Sequence, residues 1–198
     1  RERFYTETKP DYLSEYDEDA AWWLAAHGTV LDACAPWLAT DGVHMLDIGS
    51  GPGYPLEVGR TRGFTTSAIE PSAVCIRRLR GQHHMVFENT LAEVSRLPAL
   101  QGTYNLAYVW ECLEHSPEPE NFVLQVFDLL APGGVLVVAV PNDFTAGQYE
   151  ACRRYKLPPW WISIPDHQHY FTPATLKLLL RRCGFTIRYV RMTFPLIE

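Results

Sequence analysis

Three glycines in five residues, Gly49, Gly51 and Gly53, with Ser50 and Pro52 between them, follow the apolar run 43–48, and Pro55 just beyond is placed to open a helix. Glycines at such a strand-to-helix turn let the backbone pass close beneath a ligand, while the helix N-terminus offers unpaired N–H groups to an anionic end. As a dinucleotide fingerprint the loop fails in both registers. The third glycine position falls on Tyr54 when counted from Gly49 and Gly51, and on Leu56 when counted from Gly51 and Gly53. Hydride transfer is thereby demoted. Glu70 stands 23 residues after Asp47, as the last residue of the expected second strand. At the carboxyl edge of a parallel sheet such a carboxylate accepts both hydroxyls of a ribose.

A second group of reactive side chains is Glu111, Glu114 and His115, in the spacing E-x-x-E-H, joined further on by His167 and His169. Two carboxylates and an imidazole are ligand types for a divalent metal. An imidazole, with an ordinary pKa of about 6.5, also suits removal of a phenol or hydroxyl proton. The base or orienting role is preferred for His115, so no residue is assigned to a metal. His167 and His169 alternate, so that one is expected to face a pocket and the other to pack outward as a structural residue. Tyr149, Tyr155, Trp160 and Trp161 nearby either wall a planar substrate or form a small core of their own.

The elements that must position these residues follow from periodicity. The first twenty residues carry seven acids (Glu2, Glu7, Asp11, Glu15, Asp17, Glu18, Asp19) and lead into helical segments at 20–27 and 29–38, the second open to a kink at Pro36. From 43 on, strands and helices alternate. Strands are expected at 43–48, 64–69, 85–88, 104–110, 134–141 and 185–193. The continuous Val/Leu run of the fifth implies cover on both faces. A helix from 116 presents Phe122, Val123, Val126, Phe127 and Leu130 on one face and ends at Pro132-Gly133-Gly134. Thr172 as N-cap, Pro173 at the first position and Gly184 beyond the end define another helix. The thirty residues 142–171 are a long connection of the kind that carries function.

At 198 residues and 47% hydrophobic content, one ordinary core can be buried, and a formal charge of −6 gives no overall attraction for nucleic acid or an anionic membrane. A partner of that kind would need a local patch, and the basic clusters are short (Arg77, Arg78, Arg80; Arg153, Arg154, Lys156; Arg181, Arg182). Five scattered cysteines without a C-x-x-C pair fit a reducing compartment. No apolar run reaches the roughly 18 residues of a membrane span. A cytoplasmic location is expected, although a chain that opens on Arg1 hides its own ends. Nothing fixes the oligomeric state.

The run Leu46-Asp47-Ile48-Gly49-Ser50-Gly51-Pro52-Gly53, the acidic strand end at Glu70, and the stretch 129–142 together resemble the class I S-adenosylmethionine-dependent methyltransferases, over about 43–190. The stretches 104–115 and 166–173 loosely resemble the subset containing the ubiquinone-biosynthesis O-methyltransferases. The resemblance implies S-adenosylmethionine as cofactor and S-adenosylhomocysteine as product. It also implies a doubly wound, mostly parallel, Rossmann-like α/β sheet. Cofactor binding would fall to Asp47, Gly49, Ser50, Gly51, Gly53, Glu70, Pro71, Thr90, Leu91 and Trp110, with Glu70 on the ribose and Thr90-Leu91 flanking the adenine. In the quinone subset a similar E-x-x-E-H is taken to bind a divalent metal, which is possible here but not favoured. Catalytic roles are assigned to His115, His167 and Glu111. After 185–193 too little chain remains for the family's final strand, so either the chain is truncated or the last strand is missing. The run Leu157-Pro158-Pro159-Trp160 resembles the signature of amino-methylating nucleic-acid enzymes, but it follows the fifth strand and has Leu where Asn or Asp is required.

The expected organisation is one methyltransferase domain over 1–198: an N-terminal arm and helices (1–42), a cofactor-binding core (43–141), a substrate lid (142–171), and a last helix and strand (172–198). The expected activity is methyl transfer to a small-molecule acceptor, most readily the oxygen of a phenol or hydroxyl. The alternatives are N- or C-methylation, a non-catalytic cofactor-binding module, and an aminopropyl transferase, which lacks its paired-Asp motif here.

Overall fold

The structure, a computed structural model, describes residues 12–39, 41–82 and 84–192. Glu2, Glu7 and Asp11 of the acidic arm, together with Thr193 and the residues after it, lie outside them. Within the arm the chain is already helical, as α1 (Tyr12–Glu18). The two helical segments expected next are one helix, α2 (Ala20–Cys34), which runs through Gly28. A mid-helix glycine costs about 1 kcal/mol, and tertiary contacts outweigh it: Arg62 donates to the Gly28 carbonyl at 3.1 Å and to Asp32 Oδ1 at 2.6 Å. Pro36 then stops the helix, and Ala35–Trp37 form one 3-10 turn.

Beyond lie β1 (His44–Ile48), α3 (Tyr54–Thr61), β2 (Thr65–Ile69), α4 (Ala73–Gly81), β3 (Met85–Phe87), α5 (Leu91–Val94) and β4 (Tyr104–Trp110). They are followed by α6 (Pro119–Leu129), β5 (Leu130–Ala139), α7 (Ala146–Tyr155) and α8 (Pro173–Arg182). The sheet is wholly parallel in the order β3-β2-β1-β4-β5, so the chain reverses direction across the sheet at β1 and β4. At that switch point the carboxyl ends of neighbouring strands splay apart and leave room for a ligand. One sheet face buries Met45, Leu106 and Tyr108 against Leu31 of α2 and Val58 of α3. On the same face Ala68 packs with Leu56 and with Leu79 of α4. The alternate residues Leu46, Ile48, Ala107 and Val109 are buried on the other face.

Several expectations need correction. No strand forms over 185–192: Tyr189, Val190 and Met192 are exposed and no strand lies against them among the described residues, although the Asn142 side-chain amide reaches Met192 Sδ at 3.5 Å. A β-prone composition makes a strand only where a neighbour takes up its N–H and C=O groups. β5 starts at Leu130, so α6 ends at Leu129 instead of at the Pro-Gly-Gly. β5 is also the last strand in the described sheet, and its 135–139 stretch is only half-buried, not covered on both faces. On α6, Val123 and Val126 are buried but Phe127 is exposed. The long connection 142–171 contains a helix of its own, α7, and its ends meet in a parallel bridge between Asn142 and Phe171.

The residues group into two compact units, Arg1–Cys112 with Gln125–Ala139, and Leu113–Leu124 with Val140–Glu198. The first holds the sheet and the glycine loop. The second gathers the 142–171 connection, α8 and the turn that carries Glu114 and His115.

Candidate cofactor cradle and histidine cluster

In the first unit the glycine loop is built from residues whose backbone other amino acids resist. Gly49, Gly51 and Gly53 have φ of 73°, 50° and 87°. A Cβ on Gly49 would stand 2.7 Å from Cys112 Sγ, and one on Gly53 would run into Leu79. The loop is therefore both left-handed and closely walled, which is the arrangement that lets backbone N–H groups approach a ligand.

Glu70 lies one residue past the end of β2, buried to 6% exposure. The pairing of Ile48 with Ile69 brings it level with the loop. Its Oε2 accepts the Gly51 N–H and its Oε1 the Ser72 N–H, each at 2.8 Å. The carboxylate thus clamps the glycine loop to the start of α4. A carboxylate oxygen accepts more than one hydrogen bond, so taking an N–H does not by itself bar a hydroxyl from donating to the same atom. Sequence reasoning placed Glu70 at the site but missed the clamp, which only strand register reveals.

Asp47 is 1% exposed, and its Oδ2 has no hydrogen-bond partner in the structure. Burial, and then the charge of Glu70, push its pKa up to about 8. Ser50, also buried, donates from its hydroxyl to the Asp47 carbonyl at 2.9 Å and folds the loop back on the strand. Pro71 is exposed beside Glu70. The Thr90 N–H and hydroxyl both donate to Glu93 Oε2, at 2.8 and 2.9 Å, so its side chain is engaged in capping α5. Leu91 is buried at 7% and keeps an apolar surface there. The T-x-x-E spacing of Thr90 and Glu93 was the available signal.

Trp110 ends β4, stacks on Tyr108 at 6.0 Å and meets His27 edge-on at 4.8 Å, with its indole N–H buried and unpartnered. His27 was not anticipated. It hydrogen-bonds the Tyr108 hydroxyl at 2.8 Å, and burial holds its pKa down at about 4, so that it packs as a neutral ring. The arm is tied to the same unit, since Tyr54 donates to Asp17 Oδ1 at 2.7 Å and Arg78 donates to both Asp17 oxygens at 2.7 and 2.9 Å. The Tyr54 hydrogen bond, with Arg78 behind it, holds the Asp17 carboxyl below the usual range. Glu111 is exposed with φ of 48°, and its N–H donates to the Ala139 carbonyl at 2.9 Å. A non-glycine residue held there is strained, as often found at functional sites.

The second unit collects the other candidates. Glu114, 1% exposed, accepts at its carbonyl the N–H groups of Gln168 (2.9 Å) and His169 (3.0 Å). This draws 166–169 onto the 3-10 turn Leu113–His115. His115 Nδ1 donates to the Asp166 carbonyl at 2.9 Å, which directs any lone pair of the ring to Nε2. The His167 ring meets His115 edge-on at 5.0 Å, and its Nδ1 is buried without a partner. His169 has its Nε2 3.3 Å from the Pro117 carbonyl. Ligand atoms of Glu114, His115 and His167 lie within 4.8 Å of one another, whereas Glu111 is not in that group. Asp143, 3% exposed, has its carboxyl pushed up by burial, with His167 opposing. Of the four aromatic candidates, Trp161 alone is buried, against Phe144, Tyr149 and Trp160.

A family model described as "Methyltransferase domain" matches residues 12–190. The chain is similar to a ubiquinone biosynthesis O-methyltransferase of Caulobacter sp., 30% identical over 112 residues, covering 52% of this chain and 42% of that protein. It is also similar to a trans-aconitate 2-methyltransferase of Delftia acidovorans, 32% identical over 128 residues, covering 62% and 47%. The chain thus spans about half the length of these relatives. Among solved structures, a SAM-dependent methyltransferase from Archaeoglobus fulgidus superposes with a TM-score of 0.65 at 19% identity, over 82% of this chain and 69% of that one, a likeness of fold.

Proposed function

The chain belongs to the methyltransferase-domain family, and from that membership we propose that it binds S-adenosylmethionine at the glycine loop and methylates an oxygen of a small-molecule acceptor. The observation that carries the reading is the Glu70 carboxylate, held at 2.8 Å from both the Gly51 and Ser72 N–H groups at the carboxyl edge of the sheet. On this reading Glu70 would accept the ribose hydroxyls, the left-handed glycine backbone would lie beneath the cofactor's methionyl part, and Leu91 would lie against its adenine. The cofactor supplies an activated methyl on a sulfonium. The residues of the chain align, exclude water and manage one proton.

His115 is assigned that proton. The Asp166 carbonyl fixes its Nδ1–H, so Nε2 is the basic atom that would accept from a phenol or hydroxyl. His167 stands beside it as orienting partner, and Glu111 remains a third candidate on the same reading. A divalent ion at Glu114, His115 and His167 is less well supported. Glu114 Oε1 and His115 Nε2 are 4.0 Å apart, more than the roughly 3.0–3.4 Å of adjacent ligands whose bonds to one ion are about 2.0–2.1 Å. The two relatives differ by name in what they methylate, so the choice of oxygen rests on His115 and on the quinone-enzyme likeness. A cytoplasmic setting is part of the proposal, supported by five free cysteines.

The test is calorimetric titration of the purified chain with S-adenosylmethionine, S-adenosylhomocysteine and NAD, with and without Mg²⁺. Micromolar binding of the first two and none of NAD is expected; no binding of either overturns the reading. With an acceptor in hand, His115→Ala and His167→Ala should lower kcat while leaving cofactor affinity unchanged. Normal turnover in both would remove them from the mechanism.

A further inference from the structure

We propose that Asp166 is the positioning residue of His115, its carboxylate facing the positive charge that the imidazole takes on when Nε2 accepts the proton of the methyl acceptor. The proposal rests on the reading of His115 as the base and adds a residue to it. As the acceptor oxygen forms its bond to the methyl carbon, the C–S electron pair returns to sulfur and the hydroxyl proton passes to Nε2. The ring then carries a full charge in a side chain that is only 13% exposed. A charge so far removed from water needs a counter-charge close by.

The geometry singles out Asp166 among the acids around the ring. Its Oδ1 lies 3.3 Å from His115 Nδ1, the nitrogen that also donates to the Asp166 carbonyl at 2.9 Å. Glu114 Oε1 is 4.0 Å from the other nitrogen, Nε2. That is beyond hydrogen-bond reach, and it is the side on which the acceptor's proton must arrive. Asp143 interacts instead with His167, whose ring meets His115 edge-on at 5.0 Å. A carboxylate beside Nδ1 stabilises the imidazolium without standing in the way at Nε2, the arrangement in which a carboxylate serves a general-base histidine.

The main chain holds Asp166 in place. The His167 N–H donates to the Ser163 carbonyl at 2.7 Å, and the Gln168 and His169 N–H groups both donate to the Glu114 carbonyl, at 2.9 and 3.0 Å. A counter-charge ordered in this way is present before the imidazolium forms and needs little reorganisation when it does. The Asp166 side chain is 33% exposed, whereas Glu114 is 1% exposed, so a charge on Asp166 costs less desolvation. Because carbonyl and carboxylate of one residue meet the same nitrogen, substitution separates them. Asp166→Asn keeps the carbonyl and removes the charge.

Diethyl pyrocarbonate acylates an imidazole nitrogen only when that nitrogen carries no proton, so it reads the state of Nε2 in the full chain, and mass spectrometry assigns the product to His115. Asp166→Asn should be acylated roughly two- to fivefold faster than the parent at pH 6, as for loss of one charge beside a part-exposed ring, and no faster at pH 8. Asp166→Ser removes the charge with a different side chain and should behave alike, which keeps the test open if either variant loses the parent circular dichroism. Asp166→Glu should restore the parent rate at pH 6. Equal rates in the parent and the uncharged variants at pH 6 would overturn the proposal and leave orientation to the carbonyl alone. Faster acylation at pH 6 and pH 8 alike would also overturn it, since a side chain that merely covers the ring has that effect, and so would Asp166→Glu reacting like Asp166→Asn. A parent whose His115 is acylated at neither pH would withdraw the base itself, and Asp166 with it. Failure to bind S-adenosylmethionine in calorimetry leaves the acylation comparison intact, so the two readings fail separately.

Discussion

Asp47 and Glu70 are two carboxyl groups on neighbouring strand ends, one without a hydrogen-bond partner on Oδ2 and the other clamped by two N–H groups. Their difference sets a pH dependence. The Asp47 pKa is pushed up to about 8 by burial and by the charge of Glu70, against an ordinary value of 3.8. In the folded chain the group holds its proton where the unfolded chain has lost it. Its contribution to stability is therefore fully present below about pH 4 and is lost as pH rises toward 8. Asp47→Asn mimics the protonated form at every pH. Its melting temperature relative to the parent should climb steadily between pH 5 and pH 8, as read by thermal unfolding at fixed ionic strength. Parallel pH profiles for the two proteins would show that Asp47 ionises normally. The identities of both residues were legible in the sequence from their spacing on an alternating strand pattern. Their different states were not, because those depend on which N–H groups the register of β1 and β2 delivers.

The loop after β1 is the element in which local conformation and packing can be separated by substitution. Gly49 has φ of 73°, and a Cβ there would meet Cys112 Sγ at 2.7 Å; Gly42 has φ of 68°, and a Cβ would meet nothing within 4 Å. Gly42→Ala should cost only the left-handed strain, about 1 kcal/mol. Gly49→Ala adds displacement of Cys112 and should cost roughly 1–3 kcal/mol more, as overpacking does. Chemical denaturation of both variants measures the difference, and equal costs would mean that the Cys112 wall yields freely. Such contrasts explain what the sequence disclosed about elements. β1, β2 and β4 were expected within a residue of where they form, because short β-branched runs between glycines and prolines admit little else. The 185–192 stretch has the same composition, but its strand character depended on a neighbour that the described residues do not provide. Within 142–171, the capping box of Thr145 and Gln148 that starts α7 was present in the sequence and overlooked beside the aromatic residues.

For the whole molecule, cofactor binding and folding are linked, since a ligand held by the folded loop and absent from the unfolded chain must raise the melting temperature. At one hundred times its Kd, S-adenosylhomocysteine should add about 2.7 kcal/mol. For a chain of this size each kcal/mol is worth about 2–4 °C, so a rise of roughly 5–11 °C is expected. If Glu70 accepts the ribose hydroxyls as proposed, Glu70→Ala should weaken binding by about 2–4 kcal/mol, or at least thirtyfold. At the same ligand concentration the remaining shift is about a third of the parent's or less. The variant also releases the Gly51 and Ser72 N–H groups, so it should melt lower even without ligand. The informative quantity is accordingly the ligand-induced shift within each protein, not the difference between their melting points. A lower ligand-free melting point with an undiminished shift would assign Glu70 to clamping the loop alone. A diminished shift, with NAD producing none in either protein, ties the clamp and the ribose contact to the same two oxygens.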